Sequence, residues 1–172
     1  MNTYSLKQRL SIRKLRKCLA DANSDIIFVI DVDGVLTDGA FYYSEQGKVL
    51  KKFGPHDSDA LAILRKYASV QIISADARGF SITQKRLSDM GFEAKLMSSK
   101  ERQDEIYSIM STRKVAFLAD SFTDIPALKI ANFALTPLDA NLGAKQQADI
   151  VIQTPGGAGV IAELVRILGL LD

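Results

Sequence analysis

The sequence predicts an α/β fold with a doubly wound, Rossmann-like parallel sheet and helices on both faces. The first observation is a continuous apolar run, Ile26–Ile30, of the kind found in parallel strands that are buried on both sides. The second is that β-prone runs near residues 70–73, 115–119, 133–135 and 150–152 alternate with segments of helical length. This alternation is typical of βαβ units and favours one domain over two.

A small β-hairpin is predicted directly after the first strand. Residues 41–43 and 48–53 are two short β-prone runs, and residues 44–47 between them have the composition of a turn that includes a glycine. Gly54-Pro55 is expected to end the hairpin, because neither residue continues a regular strand easily.

Helix starts and ends can be assigned from their capping residues. Asp57 or Ser58 is expected to cap the helix that follows the hairpin. Ser98 and Glu101 have the spacing of a capping box and predict another helix start. A glycine-rich link then leads into a closing helix over residues 160–170.

Composition sets limits on location and partners. The chain has 172 residues, of which 47% are hydrophobic and 24% charged, as in ordinary globular domains. Cys18 is the single cysteine and cannot form an internal disulfide, so a reducing, cytoplasmic location is expected. The chain contains no apolar stretch of about 18 residues, so neither a membrane span nor a membrane partner is expected.

The first 22 residues differ from the rest in charge. They hold six Lys or Arg residues and one acid, Asp21. Leucines at Leu6, Leu10, Leu15 and Leu19 predict a basic amphipathic helix, separate from a single domain over residues 23–172. Docking on its own domain or on a sister subunit is expected, with a targeting peptide or a nucleic-acid contact as alternatives. The remainder of the chain shows no nucleic-acid surface.

The end of the first strand carries two carboxylates and a glycine. Asp31 and Asp33 follow the apolar run two residues apart, so both can face one crevice at the carboxyl edge of the sheet. Gly34 allows a sharp turn and a close approach of backbone N–H groups to a ligand. Two adjacent carboxylates repel each other, and a hard cation such as Mg²⁺ relieves that repulsion.

Three later strand ends also carry polar residues. They are Ser74, the turn that contains Lys100, and the pair Asp120 and Asp124. Taken singly, these residues can serve as strand ends, solvated side chains or helix caps. Taken together, they supply the parts of a phosphoryl-transfer site: a nucleophile, metal ligands, a cation and a small donor.

These residues resemble the four motifs of the haloacid dehalogenase superfamily of phosphohydrolases, over roughly residues 25–170. The matching segments are DVDGVLTD at 31–38, Ser74, Lys100, and the acid pair at Asp120 and Asp124.

The resemblance implies a role for each matching residue. Asp31 is the nucleophile, and Asp33 is the general acid and base. Asp31, the backbone carbonyl of Asp33, and Asp120 are the Mg²⁺ ligands. Asp124 supports Lys100 or a metal-bound water. The phosphoryl group is held by Lys100 and by three residues at the ends of two strands of the parallel sheet: Gly34, which follows the first strand, and Ser74 and Ala75, at the end of the strand after the hairpin.

Within the superfamily, the chain is similar to the small branch without a cap domain that acts on sugar-acid phosphates such as 3-deoxy-D-manno-octulosonate 8-phosphate. Residues 31–39, the hairpin, residues 53–57 and the late glycines at 156–159 carry this likeness. The resemblance implies a homotetramer built through the hairpin and a role in sugar-acid and lipopolysaccharide biosynthesis. A nonulosonic-acid phosphate is the alternative substrate.

Departures from the family pattern leave the substrate open. The chain has Ser-Ala-Asp at 74–76 where the family usually has Thr-Gly-Arg, so Asp76 would bring negative charge towards an anionic substrate. Arg78 is either a substitute for the missing arginine or a solvated residue at a helix start.

Two further departures concern the remaining motifs. Ala119 and Ser121 replace a glycine and the middle acid of the last motif. His56, beside Asp57, is a candidate substrate contact or a solvated imidazole. These changes keep a second hypothesis open, that of a non-catalytic relative acting as a scaffold or regulatory partner.

Overall fold

The computed structural model describes residues 4–21 and 25–171. Its centre is a six-stranded sheet in which every pairing is parallel, with the strand order β5-β4-β1-β6-β7-β8. A separate antiparallel hairpin, β2-β3, follows the first strand. The predicted fold class is confirmed, including the hairpin insertion and the absence of an inserted cap domain from the described residues.

The elements follow one another in strict alternation after the hairpin. The strands are β1 (Ile26–Asp31), β2 (Tyr42–Ser44), β3 (Gly47–Leu50), β4 (Ser69–Ser74), β5 (Ala94–Leu96), β6 (Lys114–Leu118), β7 (Phe133–Thr136) and β8 (Ile150–Val151). The helices are α1 (Leu6–Ala20), α2 (Asp57–Leu64), α3 (Phe80–Asp89), α4 (Ser99–Met110), α5 (Ile125–Ile130), α6 (Leu142–Gln147) and α7 (Val160–Leu168).

The central strand β1 is buried on both faces and so belongs to two cores. Successive side chains of a strand point to opposite faces. Phe28 and Ile30 therefore pack into the layer formed by α1, α2, α3 and α7. Ile27 and Val29 pack into the layer formed by α4, α5 and α6. This double burial explains the uninterrupted apolar run and places Asp31, the last residue of β1, at the carboxyl edge of the sheet.

The helix α1 forms as predicted, but a different face of it is buried. Ile12 and Leu15 are in the core, whereas Leu6 and Leu10 are more than half exposed. Leu10 and Leu15 are five residues apart, which turns them about 140° away from each other around a helix. The Arg16 guanidinium donates hydrogen bonds to the Ile167 carbonyl, so α1 is docked on α7 of its own chain.

The proposed boundary between the arm and the domain, at residues 22 and 23, lies outside the described residues, and the division into 1–22 and 23–172 stays a prediction. None of the helices in residues 4–21 and 25–171 combines the length and the apolar character needed to cross a membrane.

Candidate active site

The loop after β1 turns sharply and forms the floor of the site. Asp31 ends the strand, and its Oδ1 accepts a hydrogen bond from the backbone N–H of Val32 at 2.9 Å. Gly34 has φ +82°, a left-handed conformation that favours glycine. A Cβ at this position would overlap the Asp120 carboxylate, so only glycine lets the loop approach β6 this closely.

Three carboxylates from two strand ends meet beside this loop. Asp31, Asp120 and Asp124 each offer an oxygen, and the three oxygens lie within 4.8 Å of one another. Burial raises the pKa of Asp31 well above its ordinary value, although the Arg102 guanidinium opposes that shift. Burial, with the charge of Asp124 beside it, raises the pKa of Asp120 to about 7. Burial and mutual repulsion therefore disfavour the ionised form of these carboxyl groups, and a cation bound beside them would favour it.

The donor set of this cluster fits a hard divalent cation. Carboxylate oxygens are the preferred ligands of Mg²⁺, which needs only one or two of them from the protein. The Oδ2 atom of Asp124 is buried without a hydrogen-bond partner, so it has an unused lone pair beside the cluster. Asp31 and Asp120, two of the predicted ligands, are brought together. The predicted ligation through the backbone carbonyl of Asp33 stays a prediction.

The cation at the cluster is Arg102, and the predicted placement of Lys100 is wrong. Arg102 Nη2 donates to Asp31 Oδ1 at 2.9 Å, and Nη1 donates to Asp124 Oδ1 at 2.6 Å. Lys100 is exposed on the first turn of α4. Residues two positions apart in an α-helix are separated by about 200° around the helix axis, so Lys100 and Arg102 point to opposite sides of α4. Asp124 therefore pairs with Arg102 and not with Lys100, and the alternative role of Asp124, support of a metal-bound water, stays a prediction.

Asp33 is held by two side chains from elsewhere in the fold. Its Oδ2 accepts a hydrogen bond from Ser74 Oγ at 2.9 Å, and its Oδ1 lies 2.8 Å from Lys51 Nζ. Ser74 also accepts a hydrogen bond from the Asp76 N–H. Because a hydroxyl carries one hydrogen, Ser74 would have to turn away from Asp33 to donate to a phosphoryl group.

Asp76 does not bring an unpaired charge into the site, contrary to expectation. Its Oδ2 lies 2.5 Å from Lys48 Nζ and 2.8 Å from Lys51 Nζ. Burial acts to raise the pKa of Asp76, but the hydrogen bonds from Lys48 and Lys51 outweigh it and lower the pKa. The Lys48 ammonium also lies 3.4 Å from the centre of the Phe41 ring. These contacts fasten the hairpin to the loop after β4.

A crevice of about 540 Å³ opens from the cluster towards the hairpin. Ala75 and Arg78 line it, as do Phe41 and Tyr43 of the hairpin segment. Arg78 is exposed and makes no ion pair with the described residues. Of the predicted phosphate- and substrate-binding positions after β4, the structure brings Ser74, Ala75 and Arg78 to the site.

Neither His56 nor Asp57 lines this crevice, and His56 is exposed, which favours the solvated imidazole over the substrate contact among the two alternatives for His56. Asp57 is only 2% exposed, and its Oδ1 accepts hydrogen bonds from the N–H groups of Ile161 and Ala162. It thereby caps α7 and leaves its own helix α2 without a side-chain cap. His56 lines a separate hollow beside Gly159. Both residues follow the turn at Gly54-Pro55, which directs the chain towards α7.

Sequence reasoning missed Arg102 and the role of Lys51. A usable signal existed for Arg102, because it lies four residues before the buried Ile106 and so on the same face of α4. Lys51 gives no comparable signal. It follows β3 among other lysines, and its burial depends on contacts with Thr83 and Asp33 that are distant in sequence.

A parallel sheet with two aspartates after β1, a hydroxyl after β4 and an acid pair after β6 defines a phosphatase of the haloacid dehalogenase superfamily. No family model matches the chain. It is 30% identical over 146 residues to the 3-deoxy-D-manno-octulosonate 8-phosphate phosphatase KdsC of Haemophilus influenzae, with 81% of each chain covered. The chain therefore belongs to the family of 3-deoxy-D-manno-octulosonate 8-phosphate phosphatases.

Two solved structures share the fold of this chain. The cobalt-bound phosphatase YrbI of H. influenzae is 27% identical and has a TM-score of 0.69, covering 88% of this chain and 92% of its own. The Moraxella catarrhalis enzyme, in complex with magnesium, phosphate and KDO, has a TM-score of 0.71 at 19% identity. The match covers 90% of this chain and 91% of that enzyme. The second likeness concerns the fold alone.

Proposed function

We propose that this phosphatase is a Mg²⁺-dependent phosphomonoesterase that hydrolyses a sugar-acid phosphate resembling 3-deoxy-D-manno-octulosonate 8-phosphate. The observation that carries the proposal is the cluster of Asp31, Asp120 and Asp124 at the end of β1, open to a crevice that the hairpin borders. The substrate named for the H. influenzae relative supports the choice of substrate class.

Asp31 acts as the nucleophile in this proposal. Both hydrogen bonds that the described residues give its carboxylate, from Val32 and Arg102, are accepted by Oδ1. Oδ2 is therefore the oxygen available to attack phosphorus, forming an aspartyl phosphate as the bond to the substrate oxygen breaks. Water then attacks the same phosphorus and releases Asp31 and phosphate.

Asp33 moves the protons of both steps. It gives a proton to the departing sugar oxygen and afterwards takes one from the attacking water. Ser74 and Lys51 hold its two oxygens, so the carboxyl stays directed at the space beside Asp31. Because Asp33 is reached from the crevice, substrate and water can approach it on the same side.

A divalent cation held by Asp31, Asp120 and Asp124 would neutralise charge on the phosphoryl oxygens. These carboxylates would hold the cation next to the nucleophile, and Ala75 lines the crevice on the side from which the phosphoryl group would enter. Arg78, without an ion-pair partner at the mouth of the crevice, is the residue suited to the carboxylate of a sugar acid.

The proposal includes a homotetramer formed through the hairpin. Exposed apolar side chains are concentrated there, including Phe41, Tyr42, Tyr43, Val49 and Leu50, of which Leu50 is 60% exposed. Contiguous exposed apolar surface of this kind marks interaction sites in globular proteins. Light scattering on the purified chain tests this part, and a monomeric mass would contradict it.

The function is tested by phosphate release from a panel of sugar and sugar-acid phosphates, with Mg²⁺ and with EDTA. We expect Mg²⁺-dependent release that is fastest with 3-deoxy-D-manno-octulosonate 8-phosphate. A nonulosonic-acid 9-phosphate as the fastest substrate would assign the alternative substrate. No release from any substrate by the folded protein would contradict the proposal and favour a scaffold role.

A further inference from the structure

Helix α1 presents an outer face that is strongly basic and takes no part in the candidate active site. The segment Leu6–Ala20 contains six Lys or Arg residues and no Asp or Glu, whereas residues 23–172 hold more acids than bases. Arg16 is used to dock the helix on α7. The other five cations are exposed, and within residues 4–21 and 25–171 they form no ion pair; they are Lys7, Arg9, Arg13, Lys14 and Lys17.

Two leucines lie among these cations. Leu6 is 67% exposed and Leu10 is 52% exposed, and four residues separate them, so they are neighbours on one side of the helix. Arg13 and Lys17 continue the same row towards the end of α1. Helices that bind the surface of a bilayer combine these residue types: leucines that enter the headgroup region, and Lys and Arg that attract anionic lipids.

The outer face is already formed and fixed to the domain. Ser5 caps the start of α1 in a capping box, and Ile12 and Leu15 hold the inner side in the core. The Tyr4 hydroxyl donates a hydrogen bond to Glu163 Oε1 of α7 at 3.1 Å. A partner therefore meets a preformed helix and does not have to order it. Because no residue of α1 lines the crevice, a contact here leaves the route of the substrate open.

We propose that the outer face of α1 binds the surface of an anionic lipid bilayer. The five cations attract the negatively charged headgroups, and Leu6 and Leu10 enter the interface between them. A nucleic acid would attract the same cations, but its phosphates gain nothing from exposed leucines, so the observations favour lipid. The expectation of no membrane partner came from the lack of an apolar stretch long enough to span, and a surface contact requires none.

The expected strength follows from the number of cations. Near an anionic surface, each Lys or Arg strengthens binding by about fivefold, and the attraction extends over about one Debye length. Binding should therefore weaken steeply as cations are removed and as salt is added. The leucines make a smaller contribution that salt does not screen.

The test is co-sedimentation of the full chain with vesicles of phosphatidylglycerol mixed with phosphatidylcholine, and with vesicles of phosphatidylcholine alone. We expect salt-sensitive binding to the first and none to the second. Lys7→Gln combined with Lys14→Gln should lower the partition coefficient about tenfold or more. Leu10→Ser should lower it about threefold or more.

The matched control is Lys85→Gln combined with Lys129→Gln, which removes two exposed cations from other helices and should stay within about twofold of the parent protein. Circular dichroism and melting temperatures check that each variant folds. Binding to the vesicles is measured without any sugar-acid phosphate present, so the inference does not depend on the proposed function and either can fail alone.

Several results would overturn the inference. One is that the parent protein does not sediment with the phosphatidylglycerol vesicles, and another is that the two double variants lose binding equally. Unchanged vesicle binding by Leu10→Ser would also contradict the assignment to lipid. A parent protein that binds a DNA duplex but not the vesicles would assign the basic face to nucleic acid instead.

Discussion

Two aspartates, Asp31 and Asp57, are almost equally buried, yet their surroundings differ. Asp31 is 3% exposed and Asp57 is 2% exposed, and burial raises the pKa of both. Asp31 faces two further carboxylates and a guanidinium at the edge of a crevice. Asp57 faces the N–H groups at the start of α7. The role of a buried carboxyl group with a raised pKa therefore depends on the groups that it faces. Burial alone does not distinguish a catalytic carboxyl group from a structural one.

The largest expected effect concerns turnover at Asp31. Asp31→Asn keeps the size of the side chain but removes the nucleophilic carboxylate, so phosphate release should fall by at least about 10³-fold. Asp57→Asn is the matched control, since it changes the other buried aspartate in the same way, and it should retain turnover within about threefold. Equal losses in the two variants would remove the distinction between the two sites.

A smaller effect is expected on stability at Asp57. Asp57→Ala leaves the N–H groups of Ile161 and Ala162 without their acceptor, so the free energy of unfolding should fall by about 1–2 kcal/mol. Denaturant unfolding followed by circular dichroism measures it. Asp59→Ala, at an exposed position of the same helix, should change it by less than about 0.5 kcal/mol. An unchanged Asp57→Ala would show that the contact with α7 contributes no stability.

The smallest expected effect is a pH dependence of the free energy of unfolding that comes from Asp57 and has an unusual sign. Because burial raises the pKa of Asp57 above 3.8, the folded state binds the proton more tightly than the unfolded chain does. The contribution of this group to stability therefore increases as the pH falls through the raised pKa, unlike that of an aspartate in a salt bridge.

The difference in unfolding free energy between the parent protein and Asp57→Asn isolates this contribution. Measured from about pH 7 down to about pH 4, it should shift in favour of the parent protein as the pH falls. A shift in the opposite direction would mean that the pKa of Asp57 is lowered in the fold.

The sequence was sufficient to predict that Asp31, Asp120 and Asp124 meet. Parallel strands end at one edge of a sheet, so residues after β1 and β6 are necessarily neighbours there. The sequence was not sufficient to predict which cation faces the cluster. A motif match to Lys100 ignores the direction in which a helical side chain points, and the cation that faces the cluster is Arg102, two residues further along the same helix. Asp57 and Asp76 were misjudged for another reason: their partners on α7 and on the hairpin are set by tertiary packing, which composition and spacing do not encode.

The most direct test of the account is the identity of the residue that becomes phosphorylated. The protein is mixed with radiolabelled sugar-acid phosphate and Mg²⁺, quenched in acid within the first turnover, and mapped by mass spectrometry. The account predicts a label on Asp31 that hydroxylamine removes, and no label on Asp57 or in Asp31→Asn. A label on another residue, or turnover by a protein from which no phosphorylated species can be trapped, would contradict it.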